Sequence, residues 1–115
     1  MDDIRTTTVT IAAGASLSGA AQLLPNDGRL MAVITAASWD AAKISFQASV
    51  DGTNYFVVTN EGTEYECAAV TAAKWVSVDP QVFFGARYIK VQSGISTAAT
   101  AQVDATIVTL VLMDL

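Results

Sequence analysis

The sequence predicts an all-β protein, an antiparallel β-sandwich of jelly-roll type with seven to eight strands. Three observations carry that expectation. Lys43–Val58, KISFQASVDGTNYFVV, is a strand-turn-strand unit in which Ile44, Phe46, Ala48 and Val50 alternate with Lys43, Ser45, Gln47 and Ser49. Turn residues recur between short apolar runs along the whole chain. No segment shows a convincing helical period, and no internal repeat or linker divides the 115 residues. A closed barrel fits the same spacing.

The elements follow in order. Thr6–Ile11 alternates, with Thr7, Val9 and Ile11 on one side and three threonines on the other, as suits an exposed edge strand. Ala12–Ala21 is rich in small residues and reads as a loop with a short extended piece near Leu17, and Pro25-Asn26-Asp27-Gly28 is a turn. Leu30–Thr35 is apolar on both sides and is expected at the centre of a sheet, and Trp39 and Asp40 lie in the connection after it. In the Lys43–Val58 unit, Asp51-Gly52 breaks the chain and Tyr55–Val58 starts the return strand. Phe46 and Val50 are expected in the core, with Gln47 and Ser49 facing outward.

Asn60-Glu61-Gly62 closes that unit. Glu64–Ala68 reads as a shorter strand with both glutamates toward water, Ala68–Ala73 as at most one helical turn, and Trp75–Val78 as extended up to Asp79-Pro80. Gly85–Gln92 is a strand with Arg87, Ile89 and Val91 on one face. Ser93–Thr100 is a loop containing Gly94, and Gln102–Leu112 a long closing strand, apolar on both faces after Thr106. Residues 1–24 form an N-terminal arm and first strand suited to contacting a partner, and residues 25–115 the sandwich core of what is overall a single domain.

Composition excludes several functions. A net charge of −5, with Arg5, Arg29, Lys43, Lys74, Arg87 and Lys90 scattered, offers no basic face for nucleic acid. The sequence contains no histidine, which removes the commonest general base and metal ligand. Cys67 is a lone cysteine in an apolar strand pattern, so it is read as a buried structural thiol. Glu64 and Glu66 share a strand face but read as a solvated edge rather than a hydrolytic pair. Asp51, Asn54, Glu61 and Asp79 offer oxygen ligands at loop positions, yet turn chemistry accounts for them without calcium. Trp39, Tyr55, Trp75 and Tyr88 are read as core or inter-subunit packing rather than a sugar platform. No catalytic, cofactor or metal residues are assigned, and no enzyme activity is expected. Ala105–Met113 is too short to span a bilayer, and Thr6–Asn26 follows Asp2-Asp3 instead of a positive n-region, so the expectation is a soluble chain without a cleaved signal.

The least ordinary property is apolarity without charge. Mean hydropathy is +0.43, and the segments Thr6–Asn26 and Ala105–Met113 are long and nearly uncharged. The expectation is that other chains cover this surface, in a homo-oligomer or on a capsid lattice.

Two segments carry a family resemblance. Ala41–Tyr55, AAKISFQASVDGTNY, is one; Gly85–Gly94, GARYIKVQSG, followed by a small-residue loop and Thr106–Leu112, TIVTLVL, is the other. From Trp39 onward the chain resembles the small β-sandwich virion proteins of tailed bacteriophages. That resemblance implies a virion component assembled in the host bacterial cytoplasm. Its expected role is capsid decoration (cement), bound to the major capsid protein or other virion proteins as a homo-oligomer, for which a trimer is a plausible arrangement. The alternative is a tail, collar or fibre module recognising host-surface glycan. Met1–Leu24 and the C-terminal strand are the expected contact segments.

Overall fold

The computed structural model describes residues 3–23 and 29–114. The turn expected at Pro25–Gly28 lies outside the described residues. Twelve strands and one short 3₁₀ helix follow in order: β1 Asp3–Ile11, β2 Ala21–Gln22, β3 Arg29–Thr35, β4 Ala42–Ser49, β5 Phe56–Val57, β6 Thr59–Asn60, β7 Thr63–Glu64, β8 Glu66–Val70, β9 Trp75–Ser77, the helix Pro80–Phe83, β10 Tyr88–Ile95, β11 Ala98–Ala99 and β12 Thr106–Asp114.

Setting aside the short β5, β6, β7 and β11, and keeping the equally short β2, leaves eight strands whose pairing is nested. β4 pairs with β8, β3 with β9, β2 with β10 and β1 with β12, all antiparallel. Each pair lies outside the previous one in sequence, as in a long ribbon folded over on itself. The ribbon wraps because β12 also pairs with β3 and β10 with β4. The result is two facing sheets, β1-β12-β3-β9 and β2-β10-β4-β8, with β11 and β5 as additions to the second. This is the jelly-roll arrangement, and β3 is central as its two-sided apolarity predicts.

The core lies between the sheets. β1 contributes Val9 and Ile11, β12 contributes Val108, Leu110 and Leu112, and β3 contributes Leu30 and Val33. From the opposite sheet come Ile44, Phe46, Cys67, Ile89 and Val91. Phe46, Tyr65 and Phe83 form an aromatic cluster with ring centroids 5.0 to 6.1 Å apart. Asp79 caps the 3₁₀ helix by accepting from Gln81 N–H, and its own N–H donates to the Tyr65 hydroxyl at 2.8 Å. That contact ties the helix to the core.

Several local expectations change. Val50 is 69% exposed rather than core, because β4 ends at Ser49, opposite Tyr88, and no cross-strand partner holds Val50 inward. Ser45 and Ser49 are buried despite their outward position. The Ser45 hydroxyl donates to the Gly94 carbonyl, and the Ser49 oxygen accepts from Asp51 and Gly52 N–H inside the turn. In the return strand only Phe56–Val57 pairs, and both are exposed. In place of the single helical turn allowed at Ala68–Ala73, residues 68–70 end β8 and residues 71–73 form the connection to β9. Arg87 precedes β10 and is exposed, while Ile89 and Val91 are buried.

The Ser93–Thr100 loop is a hairpin. β10 runs on to Ile95 and β11 returns, with Gly94 opposite Ala99 at φ +88°. The closing strand starts at Thr106, not Gln102. Gln102 is instead drawn into the interior, where its Nε2 donates to the Asp40 carbonyl at 3.0 Å and the Ser93 hydroxyl at 2.9 Å. Its Oε1 accepts from Asp40 N–H at 2.7 Å. Asp40 completes the clamp by accepting from Val103 N–H through Oδ2 at 2.9 Å.

Candidate interaction surface

Strand alternation places every second side chain on the outer face of its sheet, and register turns those residues into rows. On the β1-β12-β3-β9 sheet the rows are Thr8–Thr109–Ile34–Trp75, Thr6–Val111–Ala32–Ser77, Ile4–Met113–Arg29 and Thr10–Ile107. Their physical character follows from the sequence: β-branched threonines on β1, and the two-sided apolar run of β12 and β3. Arg29 is the sole ionisable member of these rows. Its guanidinium carbon stands 5.0 Å over the Phe84 ring, which draws the charge to one end of the face. Trp75, Ile4 and Ile107 are 62%, 60% and 50% exposed. In the row between those of Trp75 and Ile4, Ala32 and Val111 are nearly closed off by their neighbours.

The outer face of the opposite sheet has a different chemistry. Its rows include Gln22–Tyr88–Ser49, Lys90–Gln47–Val57 and Gln92–Ser45–Glu66. Lys43 pairs with Glu66 at 2.9 Å, and the Lys90 ammonium sits 4.3 Å from the Tyr55 ring centroid. This face is polar and charged, as solvent requires. The total accessible surface, 5996 Å², is ordinary for a 12.0 kDa monomer, for which scaling gives about 6000 Å². The anomaly is what one face is made of, not how much surface there is.

A second apolar feature lies where β4 ends. Ala48, Val50, Phe56, Val57, Val82 and Phe84 help line an open groove of 360 Å³. It contains no titratable side chain.

The residues weighed for chemistry are dispersed. Glu64 accepts from Ser96 N–H and hydroxyl, while Glu66 is engaged by Lys43. Asp51 accepts from the Asn54 and Thr53 N–H groups and from the Ser49 hydroxyl, which holds its carboxyl well below the usual carboxylate range. It is a turn residue serving its own backbone. Burial pushes the Cys67 thiol up, away from the reactive thiolate. Among the described residues no three of His, Cys, Asp and Glu gather into a metal-binding group. Trp39 is buried, donating Nε1–H to the Val70 carbonyl at 3.1 Å. Trp75 lies on the uncharged face, and Tyr55 and Tyr88 belong to the charged side. The four aromatics form no common platform.

The structure does bring together the two segments expected to contact partners. β1 and β12 lie side by side through nine paired positions, from Asp3↔Asp114 to Ile11↔Thr106. Sequence reasoning missed the contribution of β3 and β9. Trp75 stands out as an aromatic in the sequence, but its place beside Ile34 depends on a pairing between strands far apart in the chain.

No family model and no curated protein matches this chain. Among solved structures, the SPBc2 prophage-derived protein YomS is similar, with a TM-score of 0.58 at 15% identity over 99% of this chain and 96% of that one. The two share a fold over essentially their whole lengths.

Proposed function

We propose that the protein is a phage virion component that works by binding rather than chemistry, and that its role is capsid decoration. The observation that carries this reading is the contrast between the two outer faces. One is solvated by charges; the other presents Trp75, Ile4, Ile107 and rows of threonine with a single arginine at its end. A surface of that kind suits a protein lying between protein neighbours. The dispersion of acids, the buried thiol and the aromatics without a common platform fit a binding role better than catalysis or glycan recognition. The fold shared with a prophage-derived protein, together with the resemblance of Ala41–Tyr55 and Gly85–Gly94 to small virion proteins, supports the phage setting. Each copy would add a modest interface, multiplied over a repeating shell.

The test is to purify virions of the phage that encodes the chain, with the gene intact and deleted, and to image both. The expected result is regularly spaced density on the shell, present only with the gene, and DNA loss at lower temperature without it. A chain absent from purified virions, or confined to the tail, overturns the assignment.

A further inference from the structure

We infer that the partner of the uncharged β1-β12-β3-β9 face is a second copy of the same chain, packed face to face about a two-fold axis. The inference deepens the proposed function and rests on its reading of this face as a protein-contact surface.

Three observations select a second copy. The first is charge. The chain carries −5 overall, so two copies repel at long range and approach most readily through a face without ionisable groups. Thr8, Thr109, Ile34 and Trp75 form such a row, and Arg29 is held aside over Phe84. A strongly charged partner would find only Arg29, at one end of the face, to pair with.

The second is relief. Trp75 protrudes from its row on the β9 side and Ile4 from its row on the β1 side, while Ala32 and Val111 form a low strip in the row between those two. Ridges flanking a trough are self-complementary under a two-fold, because each ridge meets the other copy's low strip. Twisted sheets pack in this aligned manner with their strands about 30° apart.

The third is area. β1, β12 and β3 covered over roughly seven residues each, with the three-residue β9 beside them, at about 4.8 Å between strands and about 3.3 Å per residue, give a flat footprint of about 400 Å² per copy. Both copies together bury about 800 Å² of flat area, at the small end where weak and transient contacts lie. The pair is therefore weak and reversible, and suits a unit reinforced by repetition.

The experiment is sedimentation of the full chain from about 1 to about 100 µM, a range suited to a weak, reversible contact. The expected result is a monomer–dimer equilibrium that tightens as salt is raised, since screening relieves repulsion while the uncharged contact is unaffected. Trp75 should become less accessible to a collisional quencher as the dimer forms. Ile107→Lys and, independently, Thr8→Lys should each raise the dissociation constant at least tenfold, because a two-fold contact then buries two unpaired ammonium groups. Val103→Lys, exposed and off this face, should leave it unchanged. Retained circular dichroism in the variants excludes unfolding as the cause. A monomer throughout the range, a trimer, association that weakens with salt, or a dimer indifferent to both face substitutions overturns the inference. Density for isolated monomers on the virion shell would also overturn it while leaving decoration standing.

Discussion

Gln102 offers a sharp test of how this sandwich is held together. Its side chain is fully buried and makes three hydrogen bonds, two to the Asp40 backbone and one to the Ser93 hydroxyl. Ser93 is itself fully buried on β10, and Asp40 lies 62 residues away in the connection before β4. Replacing Gln102 by leucine keeps the approximate volume and removes all three bonds. Each contributes about 1 kcal/mol net, and a polar group orphaned in the interior costs about 1–3 kcal/mol more. The Ser93 hydroxyl is the group at risk, because water does not reach it, whereas the Asp40 backbone is only partly buried.

The apolar leucine regains roughly 1–2 kcal/mol through burial. The expected loss is therefore about 3 kcal/mol, measured by urea denaturation at constant m-value. At roughly 4 °C per kcal/mol for a domain of this size, the melting temperature falls by about 12 °C. Adding Ser93→Ala to Gln102→Leu removes the orphaned hydroxyl, so the double variant should be more stable than the sum of the single losses predicts. A loss below about 0.5 kcal/mol, within the range of ordinary surface substitutions, would refute the assignment of Gln102 as the interior clamp.

Three further outcomes follow from the same structure. Gly94→Ala should cost at least about 2 kcal/mol in the same denaturation assay, because Gly94 has φ +88° and an added Cβ would meet the Ala98 carbonyl oxygen and the Thr100 nitrogen at 2.6 Å; a neutral result would mean that the β10–β11 hairpin is not formed as described. The Asp51 carboxyl is lowered in the folded state, so its stabilising contribution is present above the unfolded value near pH 4 and is lost as pH falls through the lower folded value. Asp51→Asn should accordingly flatten the acid limb of a stability–pH profile below about pH 4, and an unchanged limb would count against the turn. Cys67, buried with its thiol pushed up, should react with a disulfide reagent at neutral pH only as fast as the protein opens, and at full rate in denaturant; fast reaction in the native protein would place it elsewhere.

Much of the fold is legible in the sequence because short strands carry their own period. Phe46 in the core, Gly52 in its turn, β3 at the centre of a sheet and the stop at Asp79-Pro80 all follow from residues within a few positions of one another. Errors fall where a distant partner overrides local pattern. Val50 continues the alternation of β4 but lacks a neighbouring strand and turns outward. Ser45 looks solvent-facing but is covered because the hairpin at Gly94 lies over it. Gln102 reads as the start of a strand, yet the vacant hydrogen-bonding groups of Asp40 and Ser93 capture it.

The uncharged surface divides along the same line. The sequence by itself determined that Thr6–Asn26 and Ala105–Met113, near the two ends of the chain, are uncharged and rich in threonine and small or aliphatic residues, since composition is a local property. Only the tertiary structure decided that these segments pair through β1 and β12, that Ile34 and Trp75 extend their rows, and that Lys43, Glu66 and Lys90 lie on the opposite sheet. Which strands become neighbours depends on the nested wrapping of the whole ribbon, and that is set by the burial of all the inner faces together rather than by any one segment.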